Sequence, residues 1–178
     1  MVKLKKGYIQ VYTGNGKGKT TAAIGLAVRA AGSGLKVFIA QFMKGSKYSE
    51  IKALEKLKSN ITVKQYGRSG HFIKKGQEPD EKDRELAQAC LNEVGGIIAS
   101  GIYDVVILDE IGVAEYFKLC SVENIIDLIN VKPENVELVL TGRKTDGRII
   151  EKADLVTEMR EIKHYYSKGV PARKGIEK

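Results

Sequence analysis

A chain of 178 residues with 43% apolar content can fold as one domain with a real core, and no apolar run approaches the length of a membrane span. Two widely separated cysteines, Cys90 and Cys120, and two histidines, His71 and His164, exclude a zinc cluster, and the cysteines read as free thiols of a reducing cytoplasm. The formal net charge of +8 favours a polyanionic partner, either nucleic acid or a nucleotide, although much of the excess sits at the termini, where simple solvation accounts for it.

Residues 1–6 are basic, but no long apolar segment follows them, so no signal peptide is expected. Residues 7–12 (GYIQVY) alternate apolar and polar and predict a first strand. Thr13-Gly14-Asn15-Gly16-Lys17-Gly18-Lys19-Thr20-Thr21 follows, and residues 20–31 then carry alanine, isoleucine and leucine at helical spacing. A glycine-rich stretch between a strand and a helix is the setting of a phosphate-binding loop. Its amides can converge on phosphate oxygens, Lys19 can reach the outer phosphates, and Thr20 offers a hydroxyl to Mg²⁺. The helix that follows adds the positive end of its dipole. One departure stands out: Thr13 occupies the place of the usual first glycine, with Gly14 and Gly16 inside the loop.

Residues 35–43 (LKVFIAQFM) predict a buried parallel strand, 48–58 a helix, and 61–66 another strand. Residues 67–79 form the longest irregular segment, containing Arg68, His71, Phe72, Lys74 and Lys75. Pro79-Asp80-Glu81 opens a long helix to about residue 100, with a kink expected at Gly95-Gly96. Residues 104–109 (DVVILD) are the strongest strand and run into Glu110. An apolar strand ending in two acids is the usual companion of a phosphate loop, since it brings a carboxylate to the metal. Ser121 caps a helix to residue 130, residues 136–140 make a strand before Thr141-Gly142-Arg143, 146–152 a short helix, and 155–159 a last strand. The alternation argues a single α/β domain over 1–178, a mostly parallel sheet covered on both faces, with 160–178 a polar tail.

At this point the chain resembles the P-loop ATP:corrinoid adenosyltransferases. The likeness rests on the run 14–23, Arg29, Gln41-Phe42-Met43-Lys44-Gly45, Leu108-Asp109-Glu110 and Leu140-Thr141-Gly142-Arg143. It continues through residues 153–159, Lys163-His164-Tyr165-Tyr166, Gly169-Val170, Ala172-Arg173 and Gly175-Ile176-Glu177. The resemblance implies a parallel α/β fold, a homodimer, and attack of Co(I) of a reduced corrinoid on C5′ of ATP with release of triphosphate. It also implies that ATP lies reversed in its loop, a register that the displaced first glycine suits.

On that reading ATP is held by Gly14, Asn15, Gly16, Lys17, Gly18, Lys19, Thr20, Thr21 and Arg29, with Lys17, Lys19 and Arg143 stabilising the leaving group. Thr20 and Glu110 would hold Mg²⁺ or Mn²⁺, and Asp109 is either a third ligand or an orienting group behind them. The corrinoid would meet Phe72 and His71 in the segment after the third strand, where Tyr66 also lies, and no tryptophan is present. An aromatic there would displace the lower axial base; His71 as a cobalt ligand would instead raise the cost of reaching Co(I). A reductase or flavoprotein would supply the electron. The rival readings are a generic P-loop ATPase, a nucleic-acid-binding module and a nucleoside kinase.

Overall fold

The computed structural model describes residues 3–45, 49–68 and 77–177. Among them β1 (Ile9–Thr13), β2 (Val37–Phe42), β3 (Ile61–Tyr66), β4 (Val105–Asp109), β5 (Glu137–Thr141) and β6 (Leu155–Glu158) form one sheet, ordered β3-β2-β4-β5-β1-β6. Every pairing is parallel. Between the strands run α1 (Lys19–Gly32), α2 (Ser49–Leu54), α3 (Glu81–Ser100), α4 (Ile111–Tyr116), α5 (Val122–Asn130) and α6 (Gly147–Lys152). The α/β architecture expected from the alternation is therefore present.

Side chains alternate along each strand, and the two faces of the sheet are covered differently. Val37, Ile39, Val105, Ile107 and Val139 meet Ala23, Ala27 and Ala30 of α1. Those small side chains let α1 lie close against the sheet. Phe38, Ala40, Val106, Leu108, Leu138 and Leu140 face the other way, onto Val94 and Ile98 of α3, Ile111 of α4, Ile125 of α5 and Ile149 of α6. Each fully buried Ile or Leu contributes about 1.5–3 kcal/mol.

Local sequence sets the helix ends. Asp80 rather than Pro79 begins α3, through a reciprocal cap in which the Asp83 amide donates to Asp80 (2.8 Å) and the Asp80 amide to Asp83 (3.3 Å). The helix continues uninterrupted through Gly95 and Gly96 to Ser100. Gly95 packs toward Leu128 of α5, where an added Cβ would lie 3.4 Å from the leucine side chain. Ser121 and Asn124 cap α5 in the same reciprocal way. Helix α4 has no counterpart in the sequence reading, because six residues are too few to show a helical period.

The strand order places the site. From β1 the chain crosses to β2 on one side of the sheet, whereas from β5 it passes to β6 on the other. Ligands of open parallel sheets bind at the carboxyl ends beside such a reversal. There the register sets Gln41 opposite Asp109, and Tyr12, just before Thr13, opposite Thr141. Among the described residues no helix is long and apolar enough to cross a membrane.

Candidate active site

The loop between β1 and α1 is built as a phosphate cradle. Gly14 and Gly18 both have positive φ, 95° and 122°. At Gly14 a Cβ would also lie 2.5 Å from the Met159 carbonyl oxygen, so the position requires glycine. No side chain caps α1 and no acid lies in its first turn, so the amides and the positive end of the dipole stay available to an anion. Lys19 is only 5% exposed, and its ammonium donates to the carbonyls of Gly14 (2.6 Å) and Gly16 (2.8 Å). Burial, with Arg143 nearby, lowers its pKa, while Glu110 acts in the opposite sense.

Across the sheet edge the two acids divide the work. Asp109 is buried and collects four donors: Thr20 (2.8 Å) and Thr141 (2.9 Å) on Oδ1, and Gln41 (3.2 Å) and Lys44 (2.8 Å) on Oδ2. Gln65 of β3 extends the network by donating to Gln41 (3.0 Å). Glu110 differs. It sits in the left-handed region (φ 65°), an uncommon place for a side chain that tends to mark functional sites. Its amide is fixed by the Thr141 hydroxyl at 2.8 Å, and its side chain lines a cavity of about 540 Å³. Burial and then the neighbouring Asp109 raise its pKa, so a cation beside it would be strongly favoured. Thr20 donates its proton to Asp109, which leaves its lone pairs for a metal. Thr20 and Glu110 thus fit a Mg²⁺ that takes one carboxylate and one hydroxyl from the protein and its remaining oxygens from phosphate and water. Among the described residues no group of three or more His, Cys, Asp or Glu could hold a metal ion.

The cavity begins at this polar end with Asn15, Lys44, Glu110 and Arg143. Its walls also carry the apolar Phe42, Met43, Leu86, Val113, Phe117 and Leu119, beside Arg68, Asp83 and Lys144. Tyr66 also lines it and packs on Phe42, their ring centroids 6.1 Å apart.

The tail closes the outside of the loop. The Met159 amide donates to Thr13 (2.9 Å), and the Gly16 amide donates to Met159 (2.7 Å). Lys17 turns outward and donates to Glu177 (3.0 Å), Ile176 (3.1 Å) and Tyr165 (3.3 Å). Glu177 also receives Tyr165, the Arg173 amide (2.8 Å) and the Arg173 guanidinium (3.1 and 3.2 Å). These bonds hold its carboxyl well below the usual carboxylate range, with Arg173 the largest cause.

The profile of the family described as ATP:corrinoid adenosyltransferase BtuR/CobO/CobP matches residues 5–177. The chain belongs to the ATP:corrinoid adenosyltransferase family. A corrinoid adenosyltransferase of Escherichia coli K12 is 34% identical over 177 residues, covering 97% of this chain and 86% of the relative. Corrinoid adenosyltransferase CobA of Salmonella typhimurium is 35% identical over 174 residues, covering 97% and 86%. One from Pseudomonas aeruginosa is 31% identical over 178 residues, covering 97% and 84%.

Within this adenosyltransferase fold the expected residues fall into groups. Gly14, Asn15, Gly16 and Gly18 form the loop, Lys19, Thr20 and Thr21 open α1, and Asp109, Glu110 and Arg143 stand across from it. Lys17 and Arg29, also expected to contact the nucleotide, sit in the loop and in α1. Lys17 is bound to the tail, because Glu177 is the nearest strong acceptor. Arg29 lies ten residues beyond Lys19 in α1, about 15 Å along a helix axis. Phe72 and His71 lie outside the described residues. Sequence reasoning gave no role to Gln41, Lys44 and Thr141. A fully buried glutamine inside an apolar strand was the available signal for the first of them.

Proposed function

We propose that the chain transfers the 5′-deoxyadenosyl group of ATP to Co(I) of a reduced corrinoid and releases triphosphate. The observation that carries this reading is the junction of a phosphate cradle with an apolar cavity, Glu110 standing between them. The cobalt electron pair forms the Co–C5′ bond, and the pair of the breaking C5′–O bond leaves with the triphosphate. Co(I) needs no general base, so the protein's task is alignment and stabilisation of the leaving charge. Lys19, the first amides of α1 and Arg143 serve that charge. The reversed placement of ATP is supported by Thr13, whose hydroxyl lies 3.0 Å from that of Thr145 at the position where an ordinary loop has its first glycine. Mg²⁺, or Mn²⁺, would be held by Thr20 and Glu110, and it neutralises triphosphate charge when bound. The apolar walls suit the face of a corrin ring, and by the family resemblance Phe72 and His71 would contact the corrinoid, with Phe72 displacing the lower base.

A homodimer is supported by the outer edge of β6, where Leu155 (45%) and Val156 (42%) are exposed on an edge strand with no further neighbour among the described residues. The site would receive its electron from a reductase or flavoprotein. A cytoplasmic setting is supported by two buried free thiols, whose pKa values burial raises, Cys120 to about 12.

Chromatography of the phosphate products tests the reaction. Triphosphate and a light-sensitive cobalt–carbon product should form only with reduced corrinoid, ATP and Mg²⁺ together. ADP produced at the same rate without corrinoid would replace the reading with a γ-phosphate hydrolase. For the metal, Glu110→Gln is expected to raise the Mg²⁺ needed for half-maximal rate by roughly 10- to 100-fold with the fold intact. An unchanged metal requirement on titration would move the ligand role to Asp109.

A further inference from the structure

Lys44 is not explained by the roles assigned so far. Its ammonium lies 2.8 Å from Asp109 Oδ2, and the two side chains are only 15% and 2% exposed. Lysine is seldom buried this far without a purpose, because its charge is costly to desolvate. Its placement is built in by two backbone features. Met43, just past β2, lies in the left-handed region with φ 56°, which turns the chain at the residue before Lys44. Gly67 of the next connection makes room for that turn. A Cβ there would come within 2.8 Å of the Lys44 nitrogen and the Met43 carbonyl carbon, both backbone atoms. Lys44 also lines the cavity together with Glu110 and Arg143. Its ammonium is one carboxylate away from the Thr20 hydroxyl, which binds the other oxygen of Asp109.

Two adjacent acids at a sheet edge need positive charge in every state of the site. Lys44 supplies part of it through its bond to Asp109, with Lys19 and Arg143 nearby. A magnesium triphosphate would bring both a divalent cation, which repels the ammonium, and several phosphate oxygens, which attract it. Asp109 would keep Thr20, Thr141 and Gln41 as donors after losing Lys44. The lysine stem has four rotatable carbons and can turn without moving the backbone.

We propose that Lys44 is an exchangeable cation of the nucleotide site, one that neutralises Asp109 when the site is empty and binds the triphosphate when metal and nucleotide enter. This rests on the nucleotide reading above and adds a residue to it. A purely structural lysine would behave differently, since removing a strut weakens every ligand alike. An exchangeable cation gives effects of opposite sign.

The test is binding, measured with Mn²⁺ alone by electron paramagnetic resonance and with magnesium tripolyphosphate and MgATP by calorimetry. For Lys44→Met, Mn²⁺ alone should bind roughly tenfold tighter, because the competing ammonium is gone. Magnesium tripolyphosphate and MgATP should bind about 10- to 100-fold more weakly, the worth of a charge-assisted hydrogen bond. Lys44→Arg should restore much of the triphosphate affinity and keep Mn²⁺ alone weak. Weakening of both ligands, or unchanged affinity for both, would overturn the exchange. Failure of the wild-type chain to bind MgATP would instead bring down the nucleotide reading itself, and the role of Lys44 with it.

Discussion

Replacing Lys19 by alanine is expected to cut turnover by roughly 30- to 1000-fold while leaving the fold in place. The ammonium is nearly enclosed, and it holds the loop carbonyls of Gly14 and Gly16 at 2.6 and 2.8 Å. By binding both carbonyls the lysine ties the loop together at the cradle where a triphosphate would lie. Charge develops on the triphosphate as the C5′–O bond breaks, and a preformed cation there acts mainly on the transition state. Loss of one such donor costs about 2–4 kcal/mol, or roughly 30- to 1000-fold in rate. The fold should survive because the loop has a second anchor, the bond from the Gly16 amide to Met159. Circular dichroism and single-turnover kinetics with chemically reduced corrinoid would separate the two effects. Near-normal turnover in a folded Lys19→Ala chain would remove this residue from the mechanism.

The parts legible in the sequence are those that local pattern encodes. β3 was read with the bounds observed, Ile61–Tyr66, and every other strand was placed to within two residues at each end. Each strand is an apolar run between turn signals, and each long helix carries its own period. The phosphate loop was legible because strand, glycines and helix are contiguous. The division of labour between Asp109 and Glu110 was not. It depends on register, which sets Gln41 beside Asp109 from one neighbouring strand and Thr141 near it from the other. No local pattern reports such a meeting. The direction of Lys17 was hidden for the same reason, since its partner Glu177 lies 160 positions away in the chain. A resemblance in the tail could mark residues 160–177 as belonging to the site's family, but only the fold shows them closing the outside of the loop.

Asp109 should prove to be the most structurally sensitive polar residue of the site. Asp109→Ala leaves the Lys44 ammonium buried without its carboxylate, and leaves Thr20, Thr141 and Gln41 without an acceptor they share. Breaking a buried pair from one side costs about 3–5 kcal/mol, a large part of the 5–15 kcal/mol that holds an ordinary domain together. For a chain of this length the midpoint of thermal unfolding should fall by roughly 10 °C. Asp109→Asn should recover part of that loss, since its amide oxygen can still take the two threonine hydroxyls. Its NH₂ group would then face Gln41 and Lys44, donors against donors. Glu110→Gln should shift the midpoint by no more than about 2 °C, because the Glu110 side chain faces the cavity rather than a network. Thermal unfolding of the three variants, read beside their Mg²⁺ requirement, distinguishes the networked Asp109 from the cavity-facing Glu110. The decisive comparison adds Lys44→Met to Asp109→Asn. If the cost lies in the lost Lys44–Asp109 ion pair, the double variant should be more stable than Asp109→Asn alone. A double variant that loses the sum of the two single effects would show that Asp109 acts through its threonine and glutamine partners, with no coupling to Lys44.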